Sequence, residues 1–556
     1  MAQMPNEIDQ IIHESVHQIQ TKKRWITCSI LLLVNLLNYM DRFTIVGVMG
    51  RLTPYFGLND QLKGLLQTVF IVFYLVFAPL FGYLGDRYNR KMLMIMGISI
   101  WILAVFASSF CTENHYYIFL LFRGVVGIGE ASYSTLAPTV LSDLFSGSLR
   151  SRVLMMFYFA IPVGSGFGFI AGSRISLATD SWQWGVRFSP LIGIGCLALM
   201  AWLLEEPVRG SGDGARQNRD DATLWDDIKY LLSVKTFYLA TFASVAAFFS
   251  IGTMSWWTPL FVGYAYAVIE KLPEAPPEKV AHIDTIFGVI TAVAGLFGVA
   301  TGSVLSRAWR DGKSIFRNNP SEKADVYICA LSMFLALPFL FFAIFLADYN
   351  ITLCLVLIYF AIMSMCLNWA VNVDVLLYVV VANRRATALA LQTMVAHLFG
   401  DASSPYIIGL LSDHIRGPNV GAAAHFYALQ KALYLPTFML VLAGAFYLAA
   451  TFFVEQDRKE ALFQMDATDN WDHLNRQRTS FISAIDRTND DIEKLSSDDD
   501  VSDDNTDDRS TIRFEEIHRK NAGKDEGEGE NSEYLSDETD EWDVQKKISE
   551  EEEEVM

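Results

Sequence analysis

Twelve runs of about twenty or more predominantly apolar residues fill most of positions 25–454, and they constrain the fold more than any other feature of the chain. A run of that length crosses the ~30 Å hydrocarbon layer of a bilayer as an α-helix. With no water in that layer, each segment must satisfy its own backbone hydrogen bonds, as a helix does. The runs are 25–49, 64–84, 91–111, 117–144, 153–175, 186–205, 236–267, 284–306, 326–348, 351–381, 386–412 and 426–454. The longest internal connection, 206–235, divides six from six. The expected fold is an all-α integral membrane protein. Its parts are an N-terminal segment 1–24, a six-helix bundle 25–205, a linker 206–235, a second bundle 236–454 and a tail 455–556.

The charge distribution supports this division. The formal charge is −19, yet mean hydropathy is +0.27. Of 62 acidic and 43 basic residues, 34 and 13 fall in 455–556, which leaves 28 and 30 for residues 1–454. The body is therefore nearly neutral and apolar, as a membrane protein is. The tail is rich in Asp, Glu and Ser and poor in aliphatics, so it is expected to be disordered and dispensable for the work of the bundles. The six cysteines lie in apolar stretches without a CxxC pair, which argues against a disulfide framework or zinc site. Neither a metal, a cofactor nor nucleic acid is implied, and no cleavable leader is visible at the polar N-terminus.

Lys and Arg mark one side of the membrane. Lys22, Lys23 and Arg24 precede the first run; Arg150 and Arg152, Arg307 and Arg310, and Arg384 and Arg385 occupy alternate loops. The positive-inside rule makes this side, with both termini, cytosolic. The linker stretch 224–235, LWDDIKYLLSVK, reads as a short amphipathic helix on the membrane surface. The loop 268–283, with Pro273, Pro276 and Pro277, faces outward. Asn350-Ile-Thr352 is a sequon in an outward loop too short for ready glycosylation.

After the second run stands Gly82-Tyr-Leu84-Gly-Asp86-Arg87-Tyr-Asn-Arg90-Lys91. It resembles the loop signature of the major facilitator superfamily, and a decayed copy, Gly302-Ser-Val-Leu305-Ser-Arg307, follows the eighth run, as an internal repeat would place it. The fourth run carries Arg123, Gly127 and Gly129 at that superfamily's R-x3-G-x-G spacing, and the fifth carries Gly164, Gly166, Gly168 and Gly172 at a helix-packing spacing. Longer words narrow the resemblance. Asn38-Tyr-Met-Asp41-Arg42, Gly129-Glu130-Ala-Ser132-Tyr133, Phe157-Tyr158, Asn368-Trp369, Asp374 and His397-Leu-Phe-Gly-Asp401 are similar to the Spinster family across nearly all of 25–454. The resemblance implies twelve spanning helices and export of single-chain lipids, either lysophospholipids from lysosomes or sphingosine-1-phosphate at the cell surface. It implies no enzyme activity.

Charges inside the apolar runs are the candidate machinery, because each costs at least ~2.5–3.5 kcal/mol at mid-membrane. Asp41 and Arg42, Glu130, and His397 with Asp401 lie near the middle of their runs, and Arg123 lies nearer the outward end. Arg123 and Glu130 are seven apart, two turns along one face and too far for a direct pair. Arg42 is then the best cation for Glu130, in a contact that forms in one state and breaks in the other. Asp41 and Arg42 point in different directions and seek separate partners. His397 and Asp401 share a face at i, i+4, an arrangement suited to proton exchange. A histidine that merely hydrogen-bonds in the core, buried charges that merely tie helices together and an interfacial anchor at Arg123 are the structural alternatives. Asn38, Tyr133, Tyr158, Asn368 and Asp374 are candidate cavity residues; Asp86, Arg87 and Arg90 are candidate cytosolic gate residues. Met155, Met156, Phe157, Phe159, Phe248, Phe249, Met254, Trp256, Trp257, Met363 and Met365 offer an apolar wall for an acyl chain, although most are expected to pack or face lipid.

The expected activity is proton-coupled alternating access with a lysophospholipid or sphingoid lipid as cargo. A lysosomal or late endosomal membrane is favoured by Glu7-Ile-Asp-Gln-Ile11-Ile12, a variant acidic dileucine signal; the plasma membrane is the alternative. A non-transporting sensor or scaffold is the third reading. Acid-flanked serines such as Ser496, Ser497 and Ser536 suggest cytosolic kinases or adaptors as partners of the tail.

Overall fold

The structure is a computed structural model that describes the backbone of residues 4–207, 224–313 and 316–465, with side chains from 21 onward except at 148 and 224. Every count and every absence below is of these described residues. The disorder and kinase sites expected in the tail, from 466 on, lie outside them, as does most of the central linker.

In chain order the α-helices are α1 (Met4–Gly47), α2 (Met49–Phe56), α3 (Asp60–Gly85), α4 (Arg90–Ser108), α5 (Tyr116–Leu144), α6 (Gly147–Thr179), α7 (Trp182–Leu203), α8 (Leu224–Ser233) and α9 (Lys235–Ile269). They continue with α10 (Pro277–Arg310), α11 (Ala324–Phe345), α12 (Ile351–Cys366), α13 (Asn368–Val379), α14 (Arg385–Ala396), α15 (Ser404–Arg416), α16 (Ala422–Ala432) and α17 (Tyr434–Ala450). Ten helical stretches are long and apolar enough to cross a membrane. Two more expected spans complete the twelve. The first is α5, a continuous helix weighed down by Arg123 and Glu130. The second is the column α14–α15, interrupted by a five-residue π-turn at His397–Asp401. The tenth span is likewise broken, at Leu367 between α12 and α13. Such breaks are tolerated at membrane depth where protein encloses them.

Asparagine side chains start several spans. Asn59, Asn89 and Asn350 accept the backbone N–H groups of Leu62, Met92 and Leu353 at 2.9, 2.9 and 3.0 Å. The asparagine of the sequon is thus occupied as a helix cap. Aliphatic and aromatic side chains such as Leu103, Leu121, Trp202 and Phe342 remain exposed and form the surface that meets lipid. Lipid is as apolar as these side chains, so helix association relies on close packing. Along α6, Gly164, Gly168 and Gly172 lie on the backbone of α1 at Leu36, Met40 and Thr44. Gly166 faces the other way, where a β-carbon would stand 2.3 Å from the Gly288 carbonyl oxygen of α10. This seam and the packing of α3 on α15 join the first six spans to the second six.

Two expectations change. The first residues expected in the tail continue as a helix, 454–465. Val454 and Ala461 are buried, and Asp457 Oδ2 accepts the backbone N–H of Thr236 at 2.7 Å in the first turn of α9. Within 455–465 the apolar contact is slight: Ala461 is buried, whereas Leu462 and Phe463 stay exposed. In α8, the expected amphipathic helix, Leu231 is fully buried, Asp227 pairs with Arg384 at 2.9 Å and Tyr230 lies under the same guanidinium. It is therefore docked on the connection ahead of α14, with Trp225 and Leu232 left exposed. Asp457→Ala is expected to cost about 1 kcal/mol through the lost cap. Thermal unfolding of purified protein measures this, and an unchanged midpoint would deny the capping role.

Candidate functional site

The charged side chains of the first six spans do not pair as depth alone suggests. Asp41 of α1 is 2% exposed and accepts the Trp101 indole N–H at 2.9 Å and the Ser189 hydroxyl. Arg123, 1% exposed, brings Nη1 to 3.9 Å from Asp41 Oδ2. It is thus a buried partner of Asp41 and not an interfacial anchor. Arg42 turns the other way and meets Asp401 across the two halves at 3.4 Å. Its guanidinium also lies 5.1 Å from the Phe70 ring, which Arg123 approaches at 5.4 Å. One aromatic ring thus sits beside two cations.

Asp401 closes the π-turn and holds two groups. One oxygen faces Arg42, and the other is 2.9 Å from His397 Nδ1. The Phe248 ring meets the imidazole edge to face at 4.9 Å. The i, i+4 pairing of His397 with Asp401 is therefore formed.

Glu130 is 4% exposed, and neither Arg42 nor Arg123 comes within 4.0 Å of its carboxylate. Arg42 is at ion-pair distance from Asp401 and beyond 4.0 Å from Glu130, whose charge still acts on it. Glu130 instead packs beside Val34, Asn38, Ile98, Trp101, Gly129 and Tyr133, with no space for a water molecule among them. The Asn38 amide nitrogen, Arg42 Nε and two Arg123 nitrogens are buried without hydrogen-bond acceptors. Unsatisfied donors of this kind are costly and mark places where another arrangement or a ligand supplies the acceptor.

The remaining candidates divide. Tyr133 is buried and donates to the Leu31 carbonyl, whereas Tyr158 is 52% exposed. Asn368 is buried, with its amide on the Tyr447 hydroxyl at 3.3 Å, and Asp374 is exposed. Arg90 is buried and ties α4 to Asp143 at 2.7 Å and Glu206 at 3.4 Å, while Asp86 and Arg87 lie exposed nearby. The decayed copy has an equivalent that sequence reading missed. Asp325, at the start of α11, takes Ser306 and Arg310, the latter at 3.0 Å. Of the apolar wall, Phe157, Phe249, Met254, Trp256, Trp257 and Met365 are packed inside, whereas Met155 and Met156 are exposed.

A fold of twelve helical columns with charged pairs at mid-depth on facing halves defines a membrane transporter, and the Major Facilitator Superfamily model matches residues 31–405. The chain belongs to the Spinster family of that superfamily. It is 42% identical over 445 residues to protein spinster homolog 3 of Danio rerio, covering 80% of this chain and 88% of that protein. To protein spinster homolog 1 of Homo sapiens it is 41% identical, covering 78% and 81%. To the sphingosine-1-phosphate transporter SPNS2 of Mus musculus it is 39% identical, covering 79% of each. The fold is similar to that of a bacterial homolog to the human lysosomal transporter Spinster, solved inward-facing and unoccupied. That comparison has a TM-score of 0.67 at 18% identity and covers 78% of this chain and 98% of that one.

Proposed function

We propose that this transporter exports single-chain lipids, lysophospholipids from the lysosome lumen in the first instance, by proton-coupled alternating access. The observation that carries the reading is that two buried carboxylates act on one arginine: Arg42 lies 3.4 Å from Asp401, and Glu130 acts on it from beyond 4.0 Å. One cation, Arg42, is acted on by both. Loading a proton on Asp401 or its His397 partner releases the arginine, and unloading Glu130 attracts it. Each exchange couples a proton to a rearrangement between the halves. Two pH units across the membrane supply about 2.7 kcal/mol per proton, enough for about a hundredfold gradient at one-to-one coupling.

A lipid headgroup carrying phosphate suits the unsatisfied guanidinium donors of Arg42 and Arg123. The exposed Met155, Met156 and Tyr158 offer adaptable apolar surface for a chain. Sphingosine-1-phosphate at the plasma membrane is the second reading, supported by the similarity to SPNS2. The Lys/Arg-rich loops support a cytosolic position for both termini under either reading. Asp86, Arg87 and Arg90 then act at the cytosolic mouth, where Arg90 fixes the ends of three helical segments.

Glu130→Gln is expected to fold and reach its membrane but to transport at least about tenfold more slowly, since a neutral amide cannot draw Arg42 from Asp401. Uptake of lysophospholipid and sphingosine-1-phosphate by proteoliposomes measures this and separates the two cargoes. Wild-type rates with an unchanged pH dependence would remove Glu130 from the mechanism.

A further inference from the structure

A second charged cluster lies away from the central site, where α3 begins and α15 ends. Asp60 and Lys63 of α3 are both fully buried and pair at 2.8 Å. Their other side-chain partners among the described residues belong to the second half of the molecule. Ser412 donates to Asp60 Oδ2 at 2.8 Å, and His425 Nδ1 stands 3.5 Å from the same oxygen. Lys63 Nζ donates to the Tyr264 hydroxyl at 3.2 Å, and the Tyr264 ring stacks on His425 at 5.1 Å. Asp413 caps α3 from across the interface, accepting the backbone N–H groups of Asp60 and Gln61 at 3.2 and 2.7 Å. Arg416 holds Asp413 in place at 2.6 Å.

The backbones meet here as well. A β-carbon at Gly64 would stand 2.2 Å from the Pro405 carbonyl oxygen, and one at Gly409 would stand 2.3 Å from that of Asp60. Deeper in the same seam, Thr68 donates to the Ala402 carbonyl.

We infer that Asp60, Lys63 and Asp413 form the latch that closes this end of the translocation pathway. A buried ion pair is tolerated only while hydrogen bonds replace its lost water. Those bonds come from Ser412, His425 and Tyr264, so the pair is satisfied dry when the halves are closed. When the halves part, water takes over the same role for Asp60, Lys63 and the first-turn N–H groups of α3. Both end states are satisfied, which keeps the energy difference between them small. Asp413 tips the balance toward closure by placing its charge on the positive end of a helix in the opposite half. The inference rests on the halves parting at this end, and it is independent of the cargo and of proton coupling.

The test is the distance between spin labels at Glu113→Cys and Val420→Cys, exposed positions in the two halves at this end, in full-length protein in nanodiscs with the native cysteines replaced. The parent is expected to show a dominant short distance. Asp413→Asn removes the cap charge, and Gly64→Ala forces the backbones apart. Each is expected to shift the closed-to-open ratio by about tenfold toward a longer distance. Distributions identical to the parent in both variants would overturn the latch. No substrate is added, so a failure of the lipid reading leaves this result unaffected.

Discussion

Arg42→Ala is expected to reduce transport by about 100-fold or more and to destabilise the protein by about 3 kcal/mol, because it strands Asp401 as a buried carboxylate. Arg42 is the only arginine or lysine within 4.0 Å of Asp401 among the described residues. His397 softens the loss by remaining 2.9 Å from the other oxygen. Adding Asp401→Asn to Arg42→Ala removes the stranded charge, so the double variant should recover most of the stability and none of the coupled transport. A thermal melt and an uptake assay on the four proteins of this cycle separate the two effects. Coupled transport by the double variant at the parental rate would show that the Arg42–Asp401 contact is a structural tie between helices.

The second large effect concerns pH. Asp401→Asn removes the carboxylate that Arg42 and His397 both face, so its pH profile of transport should differ from the parent's. His397→Ala removes the ring that faces the other Asp401 oxygen and should flatten the profile across pH 5 to 8. Phe248, packed against the imidazole, keeps the ring in place in the parent and gives a control. Phe248→Leu preserves both His397 and Asp401, so its profile should keep the parental shape at a lower rate. Superimposed profiles for the parent, Asp401→Asn and His397→Ala would leave His397 a structural histidine.

The twelve spans, the loop signature around Arg90 and the His397–Asp401 pair are legible in the sequence because they depend on local spacing. Helical periodicity settles which face a residue shares with its neighbours four positions away. Depth is legible too, and it puts Arg42, Glu130 and Asp401 at a similar level. Depth does not settle rotation about the helix axis, nor which helix lies opposite. It therefore points Arg42 to Glu130, although Asp401, 359 residues away, holds it in this state. The latch is invisible for the same reason. Asp60 and Lys63 look like ordinary polar residues at the head of a span, and their partners Ser412, Asp413 and His425 lie far along the chain. The helix at 454–465 is hidden because its charged residues, including the capping Asp457, blend into the acidic composition beyond it.

The central claim is that protons and a single-chain lipid move together through exchange of Arg42 between two carboxylates. Its most direct test is lipid-driven proton movement in proteoliposomes, read with a pH-sensitive dye trapped inside. Addition of lysophospholipid to vesicles containing the parent protein should change the internal pH. Glu130→Gln should abolish that signal. Sphingosine-1-phosphate added in parallel shows which cargo couples. Lipid transport by the parent with no accompanying proton movement for either lipid would contradict the account.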